Sequence, residues 1–341
     1  MSITDVAAGP NAFDRFFQQL GAGQILLAIA LVLYPFMVSP FFAFQIGGQI
    51  LILGMIGLSL MVLAGYGGMV SLAQLTVAGI AGYAVAIFGT NSVNIMGFGW
   101  PWWIVAPFAI LIAAVTATLI GLISVRTTGI YTIMITLAIA TAFYYFANQN
   151  YALFNGFAGY RGIEPPTLFG IYWRDPIPFY FLCLAIATIA YGLVMYCARS
   201  SFGLSLQAAR DNPRRMRAIG YNVTAVKVFA YFLSGLIAGT AGVLYVWFNS
   251  RISPGTISVG ESIGILVIAV IGGLRHPIGP FLGALVYVLM KTFAIDLIGA
   301  ERFNTLIGLV FLVIVFISPD GILGLWEKLK PHLAPTSLRS S

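Results

Sequence analysis

Four arginines, Arg210, Arg214, Arg215 and Arg217, fall within eight residues of the stretch ARDNPRRMRAIGYN at 208–221. Guanidinium groups at that density bind phosphates, anionic lipid or an acidic partner. Asp211 is the one acid among them. Asn212 followed by Pro213 is a favoured N-cap and N1 pair, and Gly220 fits the C′ stop, so a helix over 213–219 is predicted. Two turns are too few to stand alone in water, and something must pack against them. Met216 and Ile219, three apart, then form an apolar knob among the arginines. A basic juxtamembrane helix resting on anionic lipid accounts for these residues. A socket on a soluble partner accounts for them equally well.

Two further groups invite a functional reading. The run Gly65–Gly82 mixes five glycines with Ser71, Gln74 and Thr76 in an apolar setting. Hydroxyls and amides in such a place either line a path for a solute or bond neighbouring helices. Gly159, Arg161 and Gly162 sit in the polar stretch 150–176, where a docking partner could offer an acid to Arg161. Gly235, Gly239 and Gly242 read as a helix-packing face.

Catalytic chemistry is hard to find. There is no GxxxxGK[ST] phosphate loop, so ATP is not bound by that route. Two histidines, His276 and His332, are too few for a histidine-rich metal site, and no metal or other cofactor is expected on this chain. Nothing points to nucleic acid. Ion-driven carriers usually hold carboxylates deep in the membrane. Here Glu261, Asp296 and Glu301 lie only at predicted helix ends, and Lys291, the one ionisable residue well inside a predicted helix, either snorkels outwards or serves a pore.

The elements that must position these residues are helices in lipid. Only 8% of the chain is Asp, Glu, Lys or Arg while 60% is hydrophobic. A soluble domain needs about 25% charged residues to cover its surface. The apolar runs do not alternate as the strands of a membrane barrel would. The fold class is therefore an all-α polytopic membrane protein of about ten transmembrane helices (8–10), some of them broken or re-entrant. Candidate spans are 22–38, 46–65, 69–90, 102–124, 128–149, 177–197, 226–248, 258–274, 277–297 and 304–318. The Gly- and Ser-rich segments 69–90 and 258–274 are the ones expected to be interrupted. A cytoplasmic lead over 1–21, a transmembrane domain over 22–318 and a cytoplasmic tail over 319–341 complete the division. From Arg199 to Lys227 there are six basic residues against one acid, which fixes the loop 198–226 inside. Both termini are then cytoplasmic, and the loop 150–176 is external. Cys183 and Cys197, fourteen residues apart on one predicted helix, are about 21 Å apart and cannot form a disulfide.

Five stretches, in order, resemble the branched-chain amino acid ABC transporter permeases, specifically their second membrane subunit. They are GYGGMVSLAQLTVAGIAGY (65–83), RTTGIYTIMITLA (126–138), RSSFGLSLQAARDNPRRMRAIGYNVTAVKVFAYFLSGLIAGTAGVLY (199–245), SPGTISVGESIGILVIAVIGGLRHPIGPFLGALV (253–286) and SPDGILGL (318–325). Met216, Arg217, Gln74, Arg275 and His276 depart from the residues usual in that family. The resemblance implies a multi-pass subunit of a prokaryotic inner or plasma membrane. It implies a second homologous permease, two ATP-binding subunits and an extracytoplasmic solute-binding protein as partners, besides membrane lipid. ATP and Mg²⁺ would be used by the ATP-binding subunits. Residues 210–217, Ile219 and Gly220 would form the loop that receives force from them. Branched-chain amino acids are the implied cargo, with urea or short amides as the alternative. A secondary carrier and a channel or scaffold subunit are the rival classes.

Overall fold

A computed structural model describes residues 22–324 apart from 94–96, 169, 299 and 319. The predicted lead 1–21 and most of the predicted tail, with Lys328, Lys330 and His332, lie outside the described residues. The chain is nearly all helix. Helix α1 is Ala22–Met37 and α2 runs over Pro40–Tyr66; α3 is Gln74–Phe88, α4 Trp102–Ser124, α5 Ile130–Gln149 and α6 Pro176–Arg199. Two short helices follow, α7 (Ser201–Asp211) and α8 (Pro213–Ala218). Then come α9 (Val223–Asn249), α10 (Val259–Gly272), α11 (Gly279–Ile298) and α12 (Ala300–Ile317).

Every predicted span contains a helix. Among the described residues, however, five helices are long and apolar enough to cross a membrane: α2, α4, α5, α6 and α9. At 15 and 14 residues, α3 and α10 measure roughly 21–23 Å, short of the ~30 Å hydrocarbon core. These are the two segments expected to be interrupted: turns precede α3, and the strand Arg251–Ile252 with a 3-10 turn, Pro254–Ile257, precedes α10. Ahead of α3, residues 67–73 form a buried turn, and the Leu72 amide donates to Thr136 Oγ1 of α5 at 3.1 Å. Irregular backbone in lipid survives only where such partners exist.

Helix α2 is the centre of the bundle, with 89% of its best window buried, against 22% for α5 and for α6. Small residues bring the inner helices together. A Cβ added at Gly235 would lie 2.5 Å from the Ala117 Cβ of α4, and at Gly239 2.8 Å from that of Ala113. At Gly242 it would lie 2.0 Å from the Ala78 carbonyl oxygen of α3. The glycine face predicted on α9 is thus used twice, against α4 and against α3. Helices α10 and α11 meet as closely, since a Cβ at Gly283 would fall 1.9 Å from the Ile268 carbonyl oxygen.

The connections sort into two ends. Gly65, Arg210, Leu274 and Asp320 meet at one: Arg210 bonds the Gly65 carbonyl, Gly65 abuts the Leu274 carbonyl, and Arg275 Nε pairs with Asp320 Oδ1 at 2.8 Å. At the other end, strand β1 (Tyr160–Arg161) pairs antiparallel with Arg251–Ile252, and the Ser92 amide donates to the Arg161 carbonyl. A second pair joins Thr167–Leu168 to Ile171–Tyr172, so the stretch 150–176 carries local β-structure that a purely helical reading leaves out. Segments assigned to one side by their basic residues do share one end.

Candidate functional site

The basic loop is two helices where one was predicted. Ser200 starts α7, its hydroxyl accepting from the Gly203 amide at 3.3 Å, and Gly203, Leu206 and Ala209 bury one face at three-residue spacing. That signal was present in RSSFGLSLQAARD. At the start of α8, Asn212 Oδ1 accepts from the Arg215 amide at 3.0 Å with Pro213 in the first turn, as the sequence implies. At its end the Gly220 amide donates to the Arg217 carbonyl and the Tyr221 amide to that of Met216. This paired arrangement closes a helix on a left-handed residue, and Gly220 supplies it with φ 95°.

One expectation changes. Met216 and Ile219 do not form a joint outward knob. Met216 is buried at 7% exposure in a small cluster with Ala209 and Val223, holding α8 onto α7 and α9. Ile219, at 66%, faces outward beside half-exposed Tyr221. The arginines also divide. Arg210 Nε pairs with Asp211 at 2.8 Å while Nη1 donates to the Gly65 carbonyl, which fastens the loop to the last turn of α2. Gly68 makes room for it, since a Cβ there would lie 2.6 Å from Arg210 Cγ. Arg214, Arg215 and Arg217 point to the surface. A charged hydrogen bond contributes about 1.5–3 kcal/mol when shielded, less at the half-exposed Arg210. Arg210→Ala should therefore cost about 1 kcal/mol and raise proteolysis of the loop at 199–222, whereas Arg214→Ala should change neither. Limited chymotrypsin digestion of the purified subunit, which cuts at residues such as Phe202 and Tyr221 and not at arginine, reads both.

Ser71, Gln74 and Thr76 are brought together, but inside the bundle. Their exposures are 0%, 2% and 1%, so in this conformation they line no open path. Gln74 Oε1 accepts from Ser59 Oγ of α2 at 3.1 Å and from Ser234 Oγ of α9 at 2.9 Å. The amide thus joins three helices. Close by, Ser71 and Ser124 face the Tyr231 hydroxyl, and Tyr231, Ser124 and Thr76 each hold a buried oxygen without a hydrogen-bond partner. Ser59, Ser124, Ser234 and Tyr231 were not singled out from sequence. Lone polar residues in apolar helices carry little signal until their partners are known. Interhelical bonds in membranes contribute about 0.6–2 kcal/mol each. Gln74→Leu removes this joint while Ser59 and Ser234 keep their bonds to the Ile56 and Ser59 carbonyls, and it should lower stability by about 1–2 kcal/mol without blocking insertion, as a thermal melt in detergent would show.

At the other end, Gly159 and Gly162 serve the joint between the long loop and Arg251–Ile252. Added Cβ atoms would strike the Ile252 carbonyl oxygen and the Ser92 hydroxyl. Arg161 is exposed and stands directly across the strand pair from Arg251. Two like charges so placed favour an acid between them. Among the described residues no group of His, Cys, Asp and Glu could hold a metal ion.

The assembled picture is a membrane-embedded helical subunit with a braced basic loop and a sealed polar core. The family model described as branched-chain amino acid transport system / permease component matches residues 42–317, and the chain belongs to that family. It is 26% identical over 321 residues to the high-affinity branched-chain amino acid transport system permease protein LivM of Salmonella typhimurium, covering 87% of this chain and 73% of that one. The LivM protein of Escherichia coli is similar at 25%, covering 88% and 74%. The nucleoside ABC transporter permease protein NupC of Lactococcus lactis is 25% identical over 243 residues, covering 67% and 74%. No solved structure matches.

Proposed function

We propose that this chain forms half of the translocation pathway of an ATP-driven importer for branched-chain or other small zwitterionic amino acids. The observation that carries the reading is α8: a capped helix held by Met216, braced through Arg210 to the main chain at Gly65, with Ile219, Arg214, Arg215 and Arg217 turned outward. A surface fixed so firmly to the bundle suits the receipt of force from a soluble subunit. A second homologous permease, two ATP-binding subunits that use ATP and Mg²⁺, and an extracytoplasmic binding protein complete the importer. The binding protein would dock near Gly159, Arg161 and Gly162, in a prokaryotic inner or plasma membrane with both termini of this chain inside. Ser71, Gln74 and Thr76 would meet solute only in a conformation in which α2, α3 and α9 part. A nucleoside is the second reading, favoured by the likeness to NupC.

The orientation is tested with single cysteines in a background lacking Cys183 and Cys197. Exposed positions at the two ends, Leu204 and Phe157, suit the purpose at 61% and 73% exposure. Phe157→Cys should react with an impermeant maleimide in intact cells and Leu204→Cys only after lysis. The function is tested by reconstituting the whole complex and measuring ATP-driven uptake of radiolabelled leucine, urea and a nucleoside. Uptake of leucine without ATP would overturn the importer.

A further inference from the structure

Lys291 does not snorkel to a free end. Its ammonium lies 4.0 Å from Glu261 Oε1 and 6.0 Å from the centroid of the Tyr287 ring. Glu261 sits in the first turn of α10 and Lys291 in the body of α11, with about two turns of α11 still to come. The inner ends of the two helices are locked together at Gly272 and Gly279. The chain ahead of α10, Arg251 to Ser258, brings Arg251 into the electrostatic neighbourhood of Tyr245, a residue that also feels the Glu261 charge, as does Tyr287. The groups facing the pair are therefore Tyr245, Tyr287 and, at the rim, Arg251.

Both partners remain open, with side-chain exposures of 37% for Lys291 and 47% for Glu261. Half-exposed opposite charges at that depth are not stable against hydrocarbon, where ionisable groups are costly and turn to water-filled cavities or to each other. Nor is the pair closed, since 4.0 Å is longer than a hydrogen-bonded contact. A loose ion pair at the end of the bundle opposite the basic loop can exchange each charge for that of an incoming molecule bearing both. We propose that Glu261 and Lys291 form an entry subsite for a zwitterionic solute, the solute's ammonium taking Glu261 and its carboxylate taking Lys291. Tyr287 keeps the lysine against the α11 wall between visits, and the hydroxyl of Tyr245 lies within the same electrostatic neighbourhood. The inference rests on the amino-acid reading of the function and adds the place where the two charges are recognised.

Gly260→Cys, next to Glu261 and leaving both charges in place, is exposed and its Cβ meets only the Ser258 hydroxyl at 4.0 Å. In the background lacking Cys183 and Cys197, it is treated in the reconstituted importer with an impermeant methanethiosulfonate added outside. The expected result is reaction from the external water, slowed at least fivefold by leucine-loaded binding protein and not by the empty binding protein. In parallel, Lys291→Met and Glu261→Gln should each lower leucine uptake at least tenfold, while Lys291→Arg, which keeps the charge, should stay within threefold of the unmodified chain. A cysteine at 260 that the reagent does not reach, or that leucine does not protect, overturns the subsite. So does uptake by Lys291→Met equal to that by Lys291→Arg. If the unmodified complex takes up no leucine with ATP, the amino-acid reading itself fails, a result separable from normal uptake with an unprotected position 260.

Discussion

Gly242→Val should leave almost no folded subunit. The Cβ of the new residue would be placed 2.0 Å from the Ala78 carbonyl oxygen, against backbone on both sides. Side chains can rotate out of such a clash; two main chains cannot. Overpacking with side-chain neighbours costs about 1–3 kcal/mol, and a backbone clash exceeds that range. Against total stabilities of about 5–15 kcal/mol, the loss is decisive. The measurement is the yield of monodisperse protein by size-exclusion chromatography in mild detergent. Gly192→Val is the matched control, because nothing lies within 4 Å of a Cβ there, and it should purify normally. Equal yields for the two variants would mean that α3 and α9 are not held as close as described.

Ile219→Asp should cut ATP-driven uptake at least tenfold with insertion and stability unchanged. Ile219 is exposed within the isolated subunit, so its replacement removes nothing the fold depends on. Burying such a side chain in a partner's socket contributes about 1.5–3 kcal/mol, which corresponds to a tenfold to hundredfold change in affinity. An aspartate there adds a desolvation cost to the lost contact. Met216→Asp should behave differently, destabilising the loop itself by placing a charge between Ala209 and Val223. Co-purification of the ATP-binding subunits, alongside a thermal melt of the permease, separates the two outcomes. If Ile219→Asp retains its ATP-binding subunits and transports normally, the contact lies elsewhere on the loop.

What could be read from the sequence is what neighbouring residues decide. The cap at Asn212 and the stop at Gly220 are written within one short stretch, and both stand as expected. The apolar runs announce helices because lipid leaves no polar pattern to interpret. Partners distant along the chain were not legible. The fate of Met216 is set by Ala209 and Val223, and the equal spacing of Met216 and Ile219 on a two-turn helix cannot tell which one faces inward. Gln74 was recognisable as polar in an apolar run, but Ser234, 160 residues away, is what turns it into a joint. The pairing of Lys291 was illegible for the same reason: Glu261 lies across a helical hairpin.

Arg210 grips main chain, and that choice has a mechanical consequence. A side-chain partner could swing and absorb a shove, but the Gly65 carbonyl cannot move without carrying the end of α2 with it. Ser59 stands less than two turns further along the same helix, already bonded to Gln74. Tightly packed interiors yield little when compressed. A displacement entering at the loop should arrive at the polar joint with nearly its full amplitude. The coupling then works as a fixed gear, in which the travel of α7 sets how far the centre of the bundle can open.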